Sequence, residues 1–254
     1  MRFASLNLYL WDQTRPAFTA LWNHLRPIFA GNKIKTGAEI HPPNQISSRT
    51  LANNHTLAIA QVCGIDISTH GQKLYRTLGA LSDNTNPEPG HYHSTLIASV
   101  SKPHVGVDNL REHVAAVNNH GSFSGDIALR AFIFGKSRGA HLKNALVTGG
   151  HLHSVRAVAA GHADFAAIDS LCFNFARRFH PDLLASVRVI GHTPTMPAPP
   201  LVVARDLSPS LRAELIGGVG EFFDTPEGAA AMRDIGVRGF VAMPDSAYEA
   251  HKFV

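Results

Sequence analysis

Hydrophobic and polar positions follow a regular pattern from the first residue of the chain. Met1 to Leu10 alternates like a half-buried strand. The segment after Pro16 changes to the spacing of an amphipathic helix, with apolar side chains at Phe18, Leu21, Trp22 and Leu25. The pattern therefore predicts a strand that runs directly into a helix.

The rest of the chain alternates between short apolar runs and helical patterns. We predict strands at Lys33–Ile40, Tyr92–Val100, Val114–Val117, Ala145–Val147, Phe165–Ile168, Val187–Ile190 and Leu201–Val203. We predict helices at Asn54–Cys63, Asp126–Phe134 and His151–Ala160, one after Asp169, and two that start at Ser208-Pro209 and Thr225-Pro226, where a hydroxyl N-cap precedes proline. Residues 82–91 form the clearest turn-rich linker. This alternation favours an α/β fold with a mostly parallel sheet covered by helices.

Composition and charge narrow the class of protein. The chain has 254 residues, of which 44% are apolar and 17% charged, and this composition is typical of a globular protein rather than a disordered or membrane-inserted one. The net charge of +4 comes from scattered Lys and Arg, so we expect no nucleic-acid partner. The first residues contain no apolar signal region, which predicts a cytoplasmic location, or a periplasmic one if the true N-terminus differs.

Cysteine and histidine spacings do not predict a metal centre. Cys63 and Cys172 lie far apart and outside any CxxC motif, which argues against a disulfide framework or a zinc ribbon. The sixteen histidines include no HExxH, and the HxH pairs at 91/93 and 151/153 are weak signals. We therefore predict no metal and no cofactor.

Three strand-to-helix loops carry the residues that favour ligand binding. They are Ser122-Phe123-Ser124-Gly125, Thr148-Gly149-Gly150-His151, and the strand end at Asp169. Ligands of α/β sheets bind outside the carboxyl ends of strands, where helix N-termini also point. Hydroxyls, glycines and helix dipoles suit an anion, and Asp169 suits a protonated ligand oxygen. The same hydroxyls also suit plain helix capping, and the pattern leaves both interpretations open.

Motifs for catalysis are absent from the sequence. Ser122 and Ser124 do not lie in a G-x-S-x-G motif, and Cys172 falls in an apolar helical stretch. The glycine-rich loops lack the Lys-Ser/Thr of a P-loop, and there is no G-x-G-x-x-G. We therefore predict that the protein is not an enzyme.

Two long segments resemble motifs of the phosphate/phosphite/phosphonate-binding proteins of ABC transporters. Residues 114–130, VAAVNNHGSFSGDIALR, are similar to that family's "aaVNd…S.SG.naLR". Residues 147–169, VTGGHLHSVRAVAAGHADFAAID, are similar to its "vtGsH..sl.aVa.G.ADiAAID". Gln61-Val62-Cys63-Gly64 is close to the "QtCGyP" loop of its stand-alone members, which also begin without a signal peptide.

The resemblance implies a type II periplasmic-binding-protein fold, in which two α/β lobes are joined by two crossover strands and hold the ligand between them. Residues 1–91 plus 190–254 would form one lobe and residues 92–189 the other. The ligand-binding residues that we predict from the loops and the resemblance are Tyr9, Tyr92, Ser122, Ser124, Thr148, His151 and Asp169. The sequence departs from the family pattern at Ile65, Asp66, Asn119 and Gly150.

The function that the resemblance implies is non-enzymatic binding of a small oxyanion such as phosphate, phosphite or a phosphonate between two closing lobes, with an ABC permease as partner. Two alternatives stay open. One is a cofactor-dependent enzyme on the same fold, similar to a pyrimidine-precursor synthase, for which Lys136 and Lys143 are the nearby lysines. The other is a metal-binding or regulatory receptor that uses histidines and tyrosines.

Overall fold

The computed structural model describes residues 1–41, 47–69, 71–135, 140–142 and 144–253. These residues form two compact units. Unit 1 comprises Met1–His91 and Pro197–Lys252, and unit 2 comprises Tyr92–Met196. The chain passes from unit 1 to unit 2 within the two-residue strand β5 (His91–Tyr92) and returns within β11 (Met196–Pro197), as numbered below.

Unit 1 is built on a six-stranded mixed sheet with the strand order β13-β4-β12-β3-β1-β2. Its strands are β1 (Arg2–Ser5), β2 (Thr36–Ile40), β3 (Leu57–Gln61), β4 (Tyr75–Asp83), β12 (Pro200–Ala204) and β13 (Val237–Ala242). Its helices are α1 (Arg15–Gly31), α2 (Ser48–Asn53), α3 (Gly64–Thr69), α8 (Pro209–Asp224) and α9 (Pro226–Ile235). Strand β1 pairs in parallel with both β2 and β3, whereas β12 is antiparallel to β3 and β4.

Unit 2 is built on a five-stranded sheet with the strand order β10-β6-β9-β7-β8. Its strands are β6 (Ser94–Ser99), β7 (Ala115–Val117), β8 (Ala145–Val147), β9 (Phe165–Asp169) and β10 (Val187–His192). Its helices are α4 (Ala128–Phe134), α5 (His151–Ala159), α6 (Ser170–Phe179) and α7 (Pro181–Leu184). Strands β7, β8 and β9 are mutually parallel, and β6 runs antiparallel between β9 and β10.

The helix starts of unit 1 follow the capping signals in the sequence. The Ser208 hydroxyl accepts a hydrogen bond from Leu211 N at 3.2 Å, and the Thr225 hydroxyl accepts one from Gly228 N at 2.9 Å. Each N-cap is followed by a proline in the first turn, where the missing N–H costs nothing. The two predicted helix starts are confirmed, as is the amphipathic first helix, whose apolar face is buried.

One predicted helix is wrong. The segment Asn54–Cys63 contains the strand β3, all five residues of which are buried between β1 and β12. A strand covered on both faces has no polar alternation, so a short apolar run of this kind cannot be distinguished from a buried helix by its period.

The predicted lobe boundary at 189/190 falls inside β10. This strand pairs with β6 along Val187–His192, so its backbone hydrogen bonds tie it to unit 2. Unit 2 therefore extends to Met196. In the described part of the chain, no helix has both the length and the apolar character that crossing a membrane requires.

Replacement of Gly79 by Ala is expected to destabilise unit 1. A Cβ atom there would lie 2.1 Å from the carbonyl oxygen of Val241 and 2.8 Å from Cα of Ala242, so backbone of the neighbouring strand would have to move. We expect a loss of about 1–3 kcal/mol in the free energy of unfolding, measured by urea denaturation. The control is Gly217→Ala in α8, where nothing lies within 4 Å of the added atom and the stability should rise by up to about 1 kcal/mol. Equal stability of Gly79→Ala and the parent protein would contradict the tight strand packing.

Candidate functional site

The carboxyl ends of three parallel strands form one edge of the unit 2 sheet. Ala115 of β7 pairs with Ala145 of β8 and with Phe165 of β9, so the three strands end side by side. Each strand is followed by a loop and a helical segment, and the starts of those segments face the same edge. This arrangement brings the three sequence-predicted loops together and is the usual ligand-binding edge of an α/β sheet.

The first loop forms a turn of π-helix, Phe123–Ile127, ahead of α4. Ser122 is its N-cap: the carbonyl oxygen accepts from Ile127 N at 2.9 Å, and the hydroxyl accepts from Gly125 N at 3.4 Å. Ser124 is buried, and its Oγ lies 3.0 Å from Nε2 of His151. The sequence predicted that this helix begins at Asp126. In the structure the π-helical turn begins the helical segment at Phe123, and Ser124 faces the second loop.

Gly125 permits the close packing of the first two loops. A Cβ atom at this position would lie 2.0 Å from Oδ1 of Asn118 and 3.4 Å from Cε1 of His151. Asn118 follows β7, and its Nδ2 lies 3.5 Å from Nε2 of His151. Sequence reasoning missed Asn118 as a site residue, because an asparagine after a strand reads as an ordinary turn residue.

His151 starts α5 and connects the two loops. Asn118 Nδ2 can only donate, so its contact favours the tautomer in which Nε2 accepts and Nδ1 carries the proton. The His151 side chain is partly exposed, but Nδ1 is buried and has no hydrogen-bond partner among the described residues. Burial lowers the pKa of His151 to about 4, so the ring is neutral near pH 7.

The start of α5 is open to a ligand. Its N-cap is Gly150, which supplies no side-chain acceptor for the N–H groups of the first turn. Gly149 has a φ of +88°, a conformation that glycine adopts without strain. The Thr148 hydroxyl bonds within its own unit, unlike a side chain that points to a ligand. It contacts Ser154 Oγ at 2.7 Å and donates to Val117 O at 3.1 Å. The ligand-binding role predicted for Thr148 stays a prediction.

Asp169 ends β9 and acts as the N-cap of α6. Its Oδ1 accepts hydrogen bonds from Leu171 N at 2.9 Å and from Cys172 N at 3.3 Å. Asp169 pairs with Ser94 of β6, and the Ser94 hydroxyl donates to the carbonyl oxygen of Ser124 at 2.9 Å. Burial and the nearby Asp169 raise the pKa of the Cys172 thiol, so this cysteine is not an activated nucleophile.

The two predicted tyrosines lie in different units. Tyr9 follows β1 in unit 1, and Tyr92 is the first residue of unit 2; both are buried. Of the predicted residues, the unit 2 edge brings together Ser122, Ser124, Thr148, His151 and Asp169. The roles of Tyr9 and Tyr92 stay predictions.

The described ranges contain no group of three or more His, Cys, Asp or Glu side chains arranged to hold a metal ion. Lys136 and Lys143, which the cofactor-dependent alternative invoked, lie outside the described residues.

The lowered pKa of His151 predicts a pH dependence of stability. The unfolded chain takes up a proton at this side chain below its ordinary pKa of 6.5, whereas the folded protein does so only near pH 4. Stability is therefore lost as the pH falls from about 6.5 to 4, by roughly 2–3 kcal/mol from this group.

We expect the unfolding free energy of His151→Gln to fall less than that of the parent protein across this range, in urea titrations at several pH values. His162→Gln, at an exposed position just after the end of α5, is the control and should keep the parent profile. Parallel pH profiles for His151→Gln and the parent would exclude the buried neutral imidazole.

Comparison with known proteins adds to this geometry. A family model described as the periplasmic phosphonate substrate-binding protein of ABC transporters matches residues 68–248. No curated protein matches the chain by sequence.

Several solved structures have a similar fold over 98% of this chain. PhnD1 from Prochlorococcus marinus in complex with methylphosphonate is 12% identical, with a TM-score of 0.76 over 95% of that chain. A binding protein component of an ABC phosphonate transporter from Pseudomonas aeruginosa is 15% identical, with a TM-score of 0.75 over 84% of that chain. A Xanthomonas citri protein bound to ATP is 15% identical, with a TM-score of 0.72 over 98% of that chain.

These likenesses show the type II periplasmic-binding-protein fold. The family is described as periplasmic, and the cytoplasmic location predicted from the sequence finds no support in it. The family's members are solute-binding components rather than enzymes, in agreement with the missing catalytic motifs. The chain belongs to the family of phosphonate substrate-binding proteins of ABC transporters.

Proposed function

We propose that this protein binds a small tetrahedral phosphorus oxyanion, namely phosphate, phosphite or a phosphonate, at the carboxyl edge of the unit 2 sheet. The observation that carries the proposal is the buried Nδ1 of His151, which lacks a partner among the described residues and lies at the start of α5, where Gly150 supplies no side-chain cap. Buried donors in proteins are nearly always hydrogen-bonded, so an unpaired one at a ligand-binding edge calls for a ligand acceptor.

The donors at this edge suit an anion. The first-turn N–H groups of α5, the Nδ1–H of His151 and the hydroxyl of Ser122 are uncharged donors, and the helix dipole adds partial positive charge. The Ser124 hydroxyl donates to Nε2 of His151 in this tautomer, and its oxygen can accept from a protonated ligand oxygen. Hydrogen bonds to a charged acceptor each contribute roughly 1.5–3 kcal/mol, so four or five of them support micromolar binding after the cost of association. A neutral His151 donates without adding a full charge.

Asp169 gives the site a preference for protonated ligands. A carboxylate at the edge repels a fully ionised anion, but it accepts a hydrogen bond from a monoprotonated phosphate or phosphonate. Sulfate has no proton to donate near neutral pH. The ligands named for the structural relatives, methylphosphonate and ATP, both carry tetrahedral phosphorus oxyanions, which supports the same ligand class.

The wider role rests on the family. We infer that the ligand is held by closure of the two lobes, that Tyr9 and Tyr92 contribute contacts, and that an ABC permease is the partner. The family's description favours a periplasmic location.

Loss of a site hydroxyl is expected to weaken binding. Ser124→Ala and Ser122→Ala should each raise the Kd for methylphosphonate and phosphate by roughly 5- to 150-fold, which corresponds to about 1–3 kcal/mol. Isothermal titration calorimetry at pH 7 measures this change. Ser101→Ala is the control, because Ser101 is exposed and follows the opposite end of β6. Unchanged affinity in both site variants would remove the two serines from the ligand contacts.

The charge of Asp169 is expected to separate phosphonate from sulfate. We expect the parent protein to bind methylphosphonate or phosphate at least about tenfold more tightly than sulfate, because the Asp169 carboxylate repels the sulfate dianion, whereas a monoprotonated ligand adds a charge-assisted hydrogen bond of roughly 1.5–3 kcal/mol. Asp169→Asn should narrow this ratio while the N-cap of α6 is retained. Competition calorimetry with the two anions gives the ratio directly. Sulfate binding as tight as phosphate in the parent protein would show that the assigned role of Asp169 is wrong.

A further inference from the structure

The first long strand of unit 2 begins with a buried serine that contacts the first ligand loop. Ser94 is the first residue of β6, and only 2% of it is exposed. Its hydroxyl donates to the carbonyl oxygen of Ser124 at 2.9 Å, so residues 30 positions apart in the chain are joined. Ser94 therefore lies behind the candidate site and is not among the predicted ligand contacts.

The same segment is bonded to the junction of β9 and α6. Ser94 pairs with Asp169, the last residue of β9. The carbonyl oxygen of His93 accepts a hydrogen bond at 3.0 Å from the backbone N–H of Ser170, the first residue of α6. The first ligand loop and the β9–α6 junction are thus both bonded to residues at the start of β6.

Thr193 holds Ser94 on the β10 side of β6. Thr193 follows β10, and only 5% of it is exposed. Its hydroxyl accepts from Ser94 N at 2.9 Å, and its own N–H donates to the carbonyl oxygen of Ser94 at 3.0 Å. Because β9 pairs on the other side, Ser94 presents its hydroxyl to Ser124 from a backbone that is held on both sides.

The carbonyl group that Ser94 contacts belongs to the residue whose hydroxyl meets His151. Ser124 Oγ lies 3.0 Å from Nε2 of His151, and in the favoured tautomer this hydroxyl donates. Hydrogen bonds weaken steeply with misalignment, so this one depends on Ser124 staying in place. Loss of the Ser94 bond would let Ser124 move, and Nε2 could then carry the ring proton in place of Nδ1.

We propose that Ser94 is a positioning residue of the unit 2 site, which fixes Ser124 so that His151 keeps Nε2 as acceptor and Nδ1 as donor. The proposal rests on the function proposed above and adds a residue that sets the donor pattern of the site. A hydroxyl has one hydrogen to donate, and that of Ser94 goes to Ser124. Ser94 therefore cannot donate to an anion while this bond is present.

The first test measures affinity by calorimetry of the full chain with phosphate and with methylphosphonate. Ser94→Ala should raise both Kd values by about 3- to 10-fold, the worth of one hydrogen bond. Ser99→Ala is the matched control, because Ser99 is buried at the opposite end of the same strand and its hydroxyl contacts Ser101 Oγ at 2.9 Å. This control should keep the parent Kd values. An equal loss of affinity in both variants would indicate a general loss of stability and would overturn the positioning role.

The second test determines the tautomer of His151 without any ligand. Ring nitrogen chemical shifts in NMR spectra distinguish a protonated imidazole nitrogen from an unprotonated one, and His151→Gln identifies the signals by their loss. The parent protein should carry the proton mainly on Nδ1. Ser94→Ala should increase the fraction with the proton on Nε2, whereas Ser99→Ala should leave it unchanged.

Thr193 provides a second pair of variants. Thr193→Val keeps the shape of the side chain and removes the acceptor for Ser94 N, so affinity and tautomer should change in the same direction as in Ser94→Ala. Thr193→Ser keeps the hydroxyl and should retain the parent values. Should Ser94→Ala fail to fold, this pair carries the same expectations. Parent values in Thr193→Val would show that Ser94 is not held as the proposal requires, and would overturn it.

The remaining outcomes separate this proposal from the proposed function. If only one of the two readouts changes in Ser94→Ala, or neither does, the positioning role is overturned and anion binding by the parent protein stands. A higher Kd with an unchanged tautomer would place Ser94 among the direct ligand contacts instead. Binding of neither phosphate nor methylphosphonate by the parent protein would overturn the proposed function, whereas the tautomer measurement, which needs no ligand, would still decide whether Ser94 positions His151.

Discussion

The contact between Ser124 Oγ and Nε2 of His151 is the interaction on which the unit 2 site depends. It joins two loops that follow different strands, and it occupies the ring nitrogen that would otherwise take an external partner. With Nε2 occupied, Nδ1 is the ring nitrogen without a hydrogen-bond partner in the described part of the chain. The close approach of the loops requires that residue 125 has no Cβ, since one would overlap the Asn118 side chain. The contacts of Ser124 Oγ and Asn118 Nδ2 with Nε2 thus set the tautomer of His151 and the direction of its Nδ1 donor, and Gly125 permits the spacing of the loops.

Both units place unsatisfied polar atoms at the carboxyl edge of their sheets. Within the described ranges, the atoms without a partner at these edges are His151 Nδ1 and Asn118 Oδ1 in unit 2, and the amide atoms of Gln61 and Oδ1 of Asn7 in unit 1. The strands behind these edges are densely apolar, as in the unit 2 core around Leu96 and Phe165. Packing of the apolar strands stabilises the fold, whereas buried polar atoms without hydrogen bonds at the edges lower the free energy of unfolding. Proteins commonly accept such a loss of stability at residues that serve function.

Elements with strong local signals were predictable from the chain. Proline after a hydroxyl N-cap identified the starts of α8 and α9, since both residue types have a specific conformational role at that position. Short strands followed by glycine-containing loops identified β7, β8 and β9. The buried strand β3 was assigned to a helix, because its burial comes from neighbours distant in sequence and leaves no periodic pattern. The extent of unit 2 was likewise hidden, because it follows from the pairing of β10 with β6.

The same division applies to the candidate site. Local sequence selected Ser122, Ser124, His151 and Asp169 as candidates and left open whether such side chains cap helices or bind a ligand. In the structure Ser122 and Asp169 do cap helical segments. Contacts across the sheet determined how their atoms are used: the Thr148 hydroxyl contacts Ser154 and Val117, and Oδ1 of Asp169 accepts from the start of α6. The position of Asn118 in the candidate site likewise follows from contacts between segments, with Gly125 and His151. Residue type and spacing determine which hydrogen bonds a side chain can form. In the folded chain, distant segments already bond some of these donors and acceptors, and only the tertiary structure shows which ones they are.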